Sequence, residues 1–338
     1  MTEATEIAKL IQENTHSIQR KAAIAWGKGT DHSGHVKITP ISQFDLGKTI
    51  FSTLEGTLPR MVIKAKIAKN VEWDNERAQE IEYAYQSICD SDNIPPVNPK
   101  VIAFMLNECD FSMEHADGTF LEHLLFCYDY SALYFAEHSP NVALLHSILG
   151  TATNTFAMEA HKIPALFALL TEFEQVHVEA FPSILRLITH LSLLEELTDN
   201  SHRLETLKSI EYHRVIDNKK CMMSAEDLWI QLNYQLMHFV DFLPAANWAN
   251  HASDPVLQSF VRISDFLDFT GKRMAKVDFV IPTPKGPLAR PQNEQLSFGG
   301  KLSQFIPAPL KKSIAAKSVE KFSQKIGHSL QYNLNWAP

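Results

Sequence analysis

Glycine and cysteine are scarce in this chain, with 12 and 4 residues among 338. Few glycines, set against many Leu, Ala, Glu and Gln, favour helices over a turn-rich β protein. Cys89, Cys109, Cys127 and Cys221 stand far apart with no CxxC pair. That excludes a zinc knuckle and a disulfide frame, and it reads as free, buried thiols in a reducing cytoplasm. No stretch approaches the roughly 18 uncharged apolar residues of a membrane span. The opening segment, MTEATEIAKLIQEN, carries acids early and lacks an apolar signal region, so no secretory signal is expected. The expected location is cytoplasmic.

What is present is an ordinary core-forming balance, 45% hydrophobic and 21% charged residues, long enough for one large or two ordinary domains. The net charge of −8 is unevenly spread. Residues 271–338 hold 11 Lys/Arg against 3 Asp/Glu, or +8, and the rest holds 20 against 36, or −16. An acidic body excludes nucleic acid as its partner. The basic tail is expected to dock on that body, or to join copies as a homo-oligomer through the arm.

Apolar spacing of three and four residues gives helices along most of the length, so the expected class is all-α. Three divisions follow: a helical segment over 1–95, a helical core over 96–275, and a Pro-rich arm with a basic amphipathic helix over 276–338. Ile7, Leu10, Ile11, Ile18 and Ala22 mark the first helix. A Gly-rich loop with Asp31, His32 and His35 follows, and solvated histidines are the simpler reading there. Pro95, Pro96 and Pro99 mark a hinge. Pro164 and Pro182 sit where a helix's first turn tolerates proline, predicting new helices there. FPSILRLITHLSLLEEL is the most apolar run. Ser224 with Asp227 three residues on signals a helix start. Within that helix His238 and Asp241 lie at i, i+3, a pairing common on surfaces. No strand-like alternation of any length is visible.

The chemistry concentrates between Glu108 and Thr155. His115 lies in the polar loop MEHADGT, His123 on an apolar helix predicted from Phe120 to about Glu137, and His146 near the end of NVALLHSIL. Ser139-Pro140 separates the two helices, and Gly150 ends the second. Histidines on neighbouring helices converge readily into a metal site in a helical protein.

These residues resemble the HD-domain superfamily of metal-dependent phosphohydrolases. They are more closely similar to an uncharacterised bacterial family related to it, in a segment of histidine, glycine, threonine, leucine and histidine followed by H-S-x-x-G-T. The matching positions are His115, Gly118, Thr119, Leu121, His123 and Leu124, then His146, Ser147, Gly150 and Thr151. The match covers roughly fifty residues. Ser147 stands where an HD protein carries aspartate, and a hydroxyl is a weaker ligand for hard cations. The resemblance implies an HD-like core and a site for a divalent ion (Fe, Mn or Zn) held by His115, His123 and His146. His190, on a late helix, would be a fourth contact. Glu122 is the nearest candidate general base, and Ser147 lies beside the metal. The implied activity is that of a hydrolase or oxygenase acting on a small molecule. The alternative is a non-catalytic binding or regulatory protein with a relic site.

Other chemistries fit less well. Glu174-Gln-Val-His177 is one ExxH pair with no second to complete a di-iron signature. Ser147 lacks a GxSxG elbow. Cys127 sits in an apolar helix that disfavours a thiolate nucleophile.

Overall fold

The computed structural model of the chain describes residues 36–37, 94–110, 114–115, 118–240, 255–278 and 308–338. Apart from Val36–Lys37, the expected helical segment as far as residue 93, with its first helix and the loop of Asp31, His32 and His35, lies outside these residues, as does the arm over 279–307.

The described residues are rich in helix. After the two-residue strand β1 (Val36–Lys37) comes α1 (Pro99–Glu108), whose Asn98 side chain accepts the Lys100 N–H at its start. A minimal hairpin, β2 (Glu114–His115) with β3 (Gly118–Thr119), leads into α2 (Phe120–Tyr134). Ser139 caps α3 (Pro140–Leu145), with proline in the first turn where its missing N–H costs nothing. A 3₁₀ turn (Ala160–Lys162) and the short α4 (Ile163–Phe167) precede α5 (Glu172–His190).

The path through α5 corrects one expectation. Pro182 does not begin a helix but stands inside one. The reciprocal capping box of Thr171 and Glu174 fixes the true start. Burial of Val178, Phe181, Ile184, Leu185, Leu187 and Ile188 then carries the helix past the proline. Each such side chain contributes about 1.5–3 kcal/mol, which together outweighs the ~3 kcal/mol of an interior proline. Leu191, at φ +77°, ends α5 and separates it from α6 (Ser192–Asp199).

The described residues are mainly helical, as expected, but the all-α expectation is not met, because they also contain a sheet. β4 (Leu207–His213), β5 (Lys220–Ser224) and the C-terminal β7 (Asn333–Trp336) form an antiparallel sheet in the order β5-β4-β7. The strand pattern escapes notice because the pairing with β7 shifts between Leu207 and Ser209. Inward residues therefore fall at Leu207, Ile210 and Tyr212, a spacing of three and then two. Beyond β5 run α7 (Ala225–Val240), α8 (Pro255–Phe269), β6 (Val277–Asp278), which pairs in parallel with β1, and α9 (Ala308–Lys325).

The core lies where α2, α3, α5 and α7 meet, and α7 is buried along nearly its whole length. Its Asn233 is fully used. Nδ2 donates to the carbonyls of Trp229 and Lys272, and Oδ1 accepts from the N–H groups of Met274 and Ala275. This ties α7 to the segment that follows α8.

The C-terminal segment docks in cis. Buried Arg186 donates to Ser323, Asn154 donates to the Phe322 carbonyl, and His328 bonds the His213 carbonyl. Tyr332 donates to Glu196, and the Arg203 guanidinium lies 4.4 Å above the Trp336 ring. No helix among the described residues is long and apolar enough to cross a membrane.

Candidate metal centre

Three helices each bring one imidazole to a common point. His123 comes from the first turn of α2, His146 from the residue that closes α3, and His238 from the last turn of α7. All three are buried, and a ligating nitrogen from each falls within 4.8 Å of the others. The ring centroids are 4.9 Å apart for His123–His146, 4.6 Å for His146–His238 and 5.3 Å for His123–His238. Phe181 of α5 walls one side, 4.7 Å from the His146 ring and 5.4 Å from His238.

Local sequence explains the placement. Pro140 and the Ser139 cap start α3 at a fixed point, so that six residues later His146 falls at its end. Glu174 holds that start against α5. Its Oε1 accepts from Ser139 Oγ at 2.6 Å and from Asn141 Nδ2 at 2.8 Å, and its Oε2 accepts from the Thr171 N–H at 2.8 Å. Gly150, at φ +128°, turns the chain directly afterwards. A Cβ there would stand 3.0 Å from both Phe156 and Val215, so the turn requires glycine.

The hydrogen-bond pattern orients the lone pairs. His146 Nδ1 lies 2.6 Å from the Ala143 carbonyl, which can only accept, so the network assigns the proton to Nδ1. Nε2 of His146 is then a lone pair, aimed at His123 Nε2 at 3.1 Å. A backbone carbonyl holding one ring N–H while the other nitrogen faces inward is the usual support of a metal-bound histidine. The His123–His146 separation is close to that of two nitrogens at about 2.0–2.1 Å from a tetrahedral ion, which lie about 3.3–3.4 Å apart.

The sequence candidates divide. His123 and His146 come together as expected. His190 does not join them: its Nδ1 lies 3.1 Å from Ser192 Oγ and its Nε2 3.1 Å from Glu320 Oε1 of α9. The third imidazole is instead His238, in the last turn of α7; Asp241, its i, i+3 neighbour in the sequence, lies outside the described residues. Ser147 is buried next to His146, with its carbonyl accepting the Gly150 N–H. His115 lies in β2 with its backbone opposite Gly118. The side chains of His115 and Glu122 are outside the described residues.

The ExxH pair is used elsewhere. Glu174 serves the cap of α3, and buried His177 lies 3.0 Å from Gln231 Oε1 and 3.4 Å from Asp227 Oδ1. The described cysteines are free thiols. Burial pushes both Cys109 and Cys221 up to about 12, which disfavours thiolate chemistry at either.

Fold and site thus define a helix-rich protein with a buried centre of three histidines. The chain matches no family model, no curated protein and no solved structure.

Proposed function

We propose that the chain is a metal-dependent enzyme with an HD-like helical core, its ion held by His123, His146 and His238. The observation that supports this reading most is the convergence itself. Three imidazole nitrogens from three separate helices lie within 4.8 Å of one another, and the proton of His146 is committed to the Ala143 carbonyl on the far side of the ring. Imidazole suits Zn, Fe and other borderline ions.

A divalent ion in this position supplies Lewis acidity, and with it an acidified water for hydrolysis or, for iron, an affinity for dioxygen. The protein's own part is orientation and exclusion of bulk water. Ala143 holds His146 in one tautomer, and Phe181 closes one side with an apolar ring. Glu122 and Ser147, which adjoin His123 and His146 in sequence, remain the candidates for proton handling, and His115 for a further contact. The substrate class that goes with the HD resemblance is a small molecule, hydrolysed or oxygenated.

A second reading has its own support. The 3.1 Å Nε2···Nε2 separation is also a hydrogen-bond length, so the two rings can bridge α2 and α3 in a non-catalytic helical binding protein. Metal content of the purified full-length protein separates the two. Stoichiometric Zn, Fe or Mn that is lost from His123→Ala and His146→Ala, with helical content unchanged, supports the metal centre. Protein that takes up none of these ions when they are offered in excess, and is not stabilised by them, leaves the bridge.

A further inference from the structure

We propose that Cys127 is the fourth protein ligand of the histidine centre, which makes it a thiolate-containing site selective for zinc and similarly thiophilic ions. The inference rests on the three-histidine centre proposed above and adds the ligand that sets its metal preference.

Cys127 follows His123 by four residues on α2, so both side chains leave the same face of that helix one turn apart. Its Sγ lies 3.9 Å from His123 Nε2 and 4.0 Å from Nδ1, and the residue is buried. For a tetrahedral ion with S at about 2.3 Å and N at about 2.0–2.1 Å, the S···N separation is about 3.5–3.6 Å. The sulfur is therefore a few tenths of an ångström from a ligating distance to His123. It lies outside the tight group formed by the three imidazoles, and rotation about χ1, the one torsion that carries Sγ, is the movement the proposal asks of it.

Charge argues the same way. Three neutral imidazoles leave a dication with its full charge in a buried, largely apolar setting, where uncompensated charge is costly. A thiolate halves that charge. On ligation the S–H bond is replaced by an S–metal bond, the proton leaves to solvent, and no electron changes hands. Soft thiolate together with imidazole favours Zn²⁺ over Mg²⁺ or Mn²⁺. With four protein ligands, any reactive water would have to enter as a fifth ligand, a coordination number zinc sometimes reaches in catalytic sites.

The test is cobalt(II) substitution of the full-length protein, read by absorption spectroscopy. The wild type is expected to show d–d bands of a tetrahedral centre together with a sulfur-to-cobalt charge-transfer band in the near ultraviolet. Cys127→Ser and Cys127→Ala should keep d–d bands, lose the charge-transfer band, and bind zinc at least about tenfold more weakly. Wild-type protein that binds cobalt with d–d bands but no charge-transfer band overturns the cysteine ligand and leaves the histidine centre standing. Folded wild type that binds no cobalt overturns the histidine centre and this inference with it. The wild-type spectrum decides the point even if a cysteine variant does not fold.

Discussion

Two buried polar clusters flank α5, and they are satisfied in opposite ways. At Arg186 every bond runs outward from a charge into fixed neutral dipoles. Nε and Nη2 donate to the Thr151 carbonyl, Nη2 also to Asn154 Oδ1, and Nη1 to Ser323 Oγ. Burial draws its pKa down to about 10, which still leaves the guanidinium charged at neutral pH. At His123, His146 and His238 nitrogens converge inward on one point. The first arrangement fastens the C-terminal segment to the body, because its donors take up acceptors on the 151–154 turn and on α9. The second gathers three imidazole nitrogens around one point, which is why it is a candidate for a cation.

The largest effect is expected where the fastening is cut. Arg186→Met leaves the Thr151 carbonyl, Asn154 and Ser323 without their donor and should cost about 3–5 kcal/mol of stability, measured by urea unfolding. Protein that still folds should take up as much zinc as the wild type. Equal loss of metal and of stability in this variant would mean that the two clusters are one unit, and the contrast drawn here would fail.

Next comes the centre itself. His123→Ala, His146→Ala and His238→Ala should each lower zinc affinity by about 100-fold or more, since losing a ligand exceeds the 10–100-fold typical of losing its support. The stabilisation by zinc in thermal unfolding should disappear in each. A His238→Ala protein that binds as tightly as the wild type would remove the third member of the triangle.

This contrast shows what the sequence carries. His123 and His146 are legible because their segment matches a local pattern of histidine, glycine and threonine around two short helices. His238 lies 92 residues beyond His146, and only the packing of α7 against α2 and α3 brings it in. His190 drew attention as the one histidine in the most apolar run, a run that also carries Arg186. The helix α5, however, ends at His190, which is partly exposed and lies against Glu320 of α9. The sheet was hidden for a related reason. Its third strand comes from the chain terminus, and an irregular register breaks the alternation that a local reading depends on.

A smaller, pH-dependent effect should appear at Glu174, which supports the centre at one remove by fixing the start of α3. Burial pushes this carboxyl up, but hydrogen bonds from Ser139, Asn141 and the Thr171 N–H outweigh it, and the net direction is down. A folded-state pKa below the unfolded one gives stability that is present above the ordinary carboxylate range and is lost as pH falls through the folded value. Glu174→Gln should therefore cost about 1–2 kcal/mol at neutral pH, and the gap from wild type should narrow as pH falls below the ordinary carboxylate range. Urea midpoints at neutral and acid pH check it. A gap that widened toward acid would mean that the carboxylate is not the favoured form in the fold.

The smallest effect is expected at His190, and it bears most directly on the comparison. This ring lies between Ser192 and Glu320 with both nitrogens engaged, so it belongs with the fastening of α9 and not with the centre. Its ion pair with Glu320 exists only while the ring is protonated, and the two side chains are 26% and 46% exposed. Exposed pairs of this kind contribute about 0–1 kcal/mol. His190→Ala should therefore lower stability by less than about 1 kcal/mol, and it should leave zinc stoichiometry and affinity unchanged. Equilibrium unfolding and a zinc titration on the same preparation measure both. Loss of metal in His190→Ala at full helical content would return His190 to the centre and require α5 and α9 to part as the ion binds.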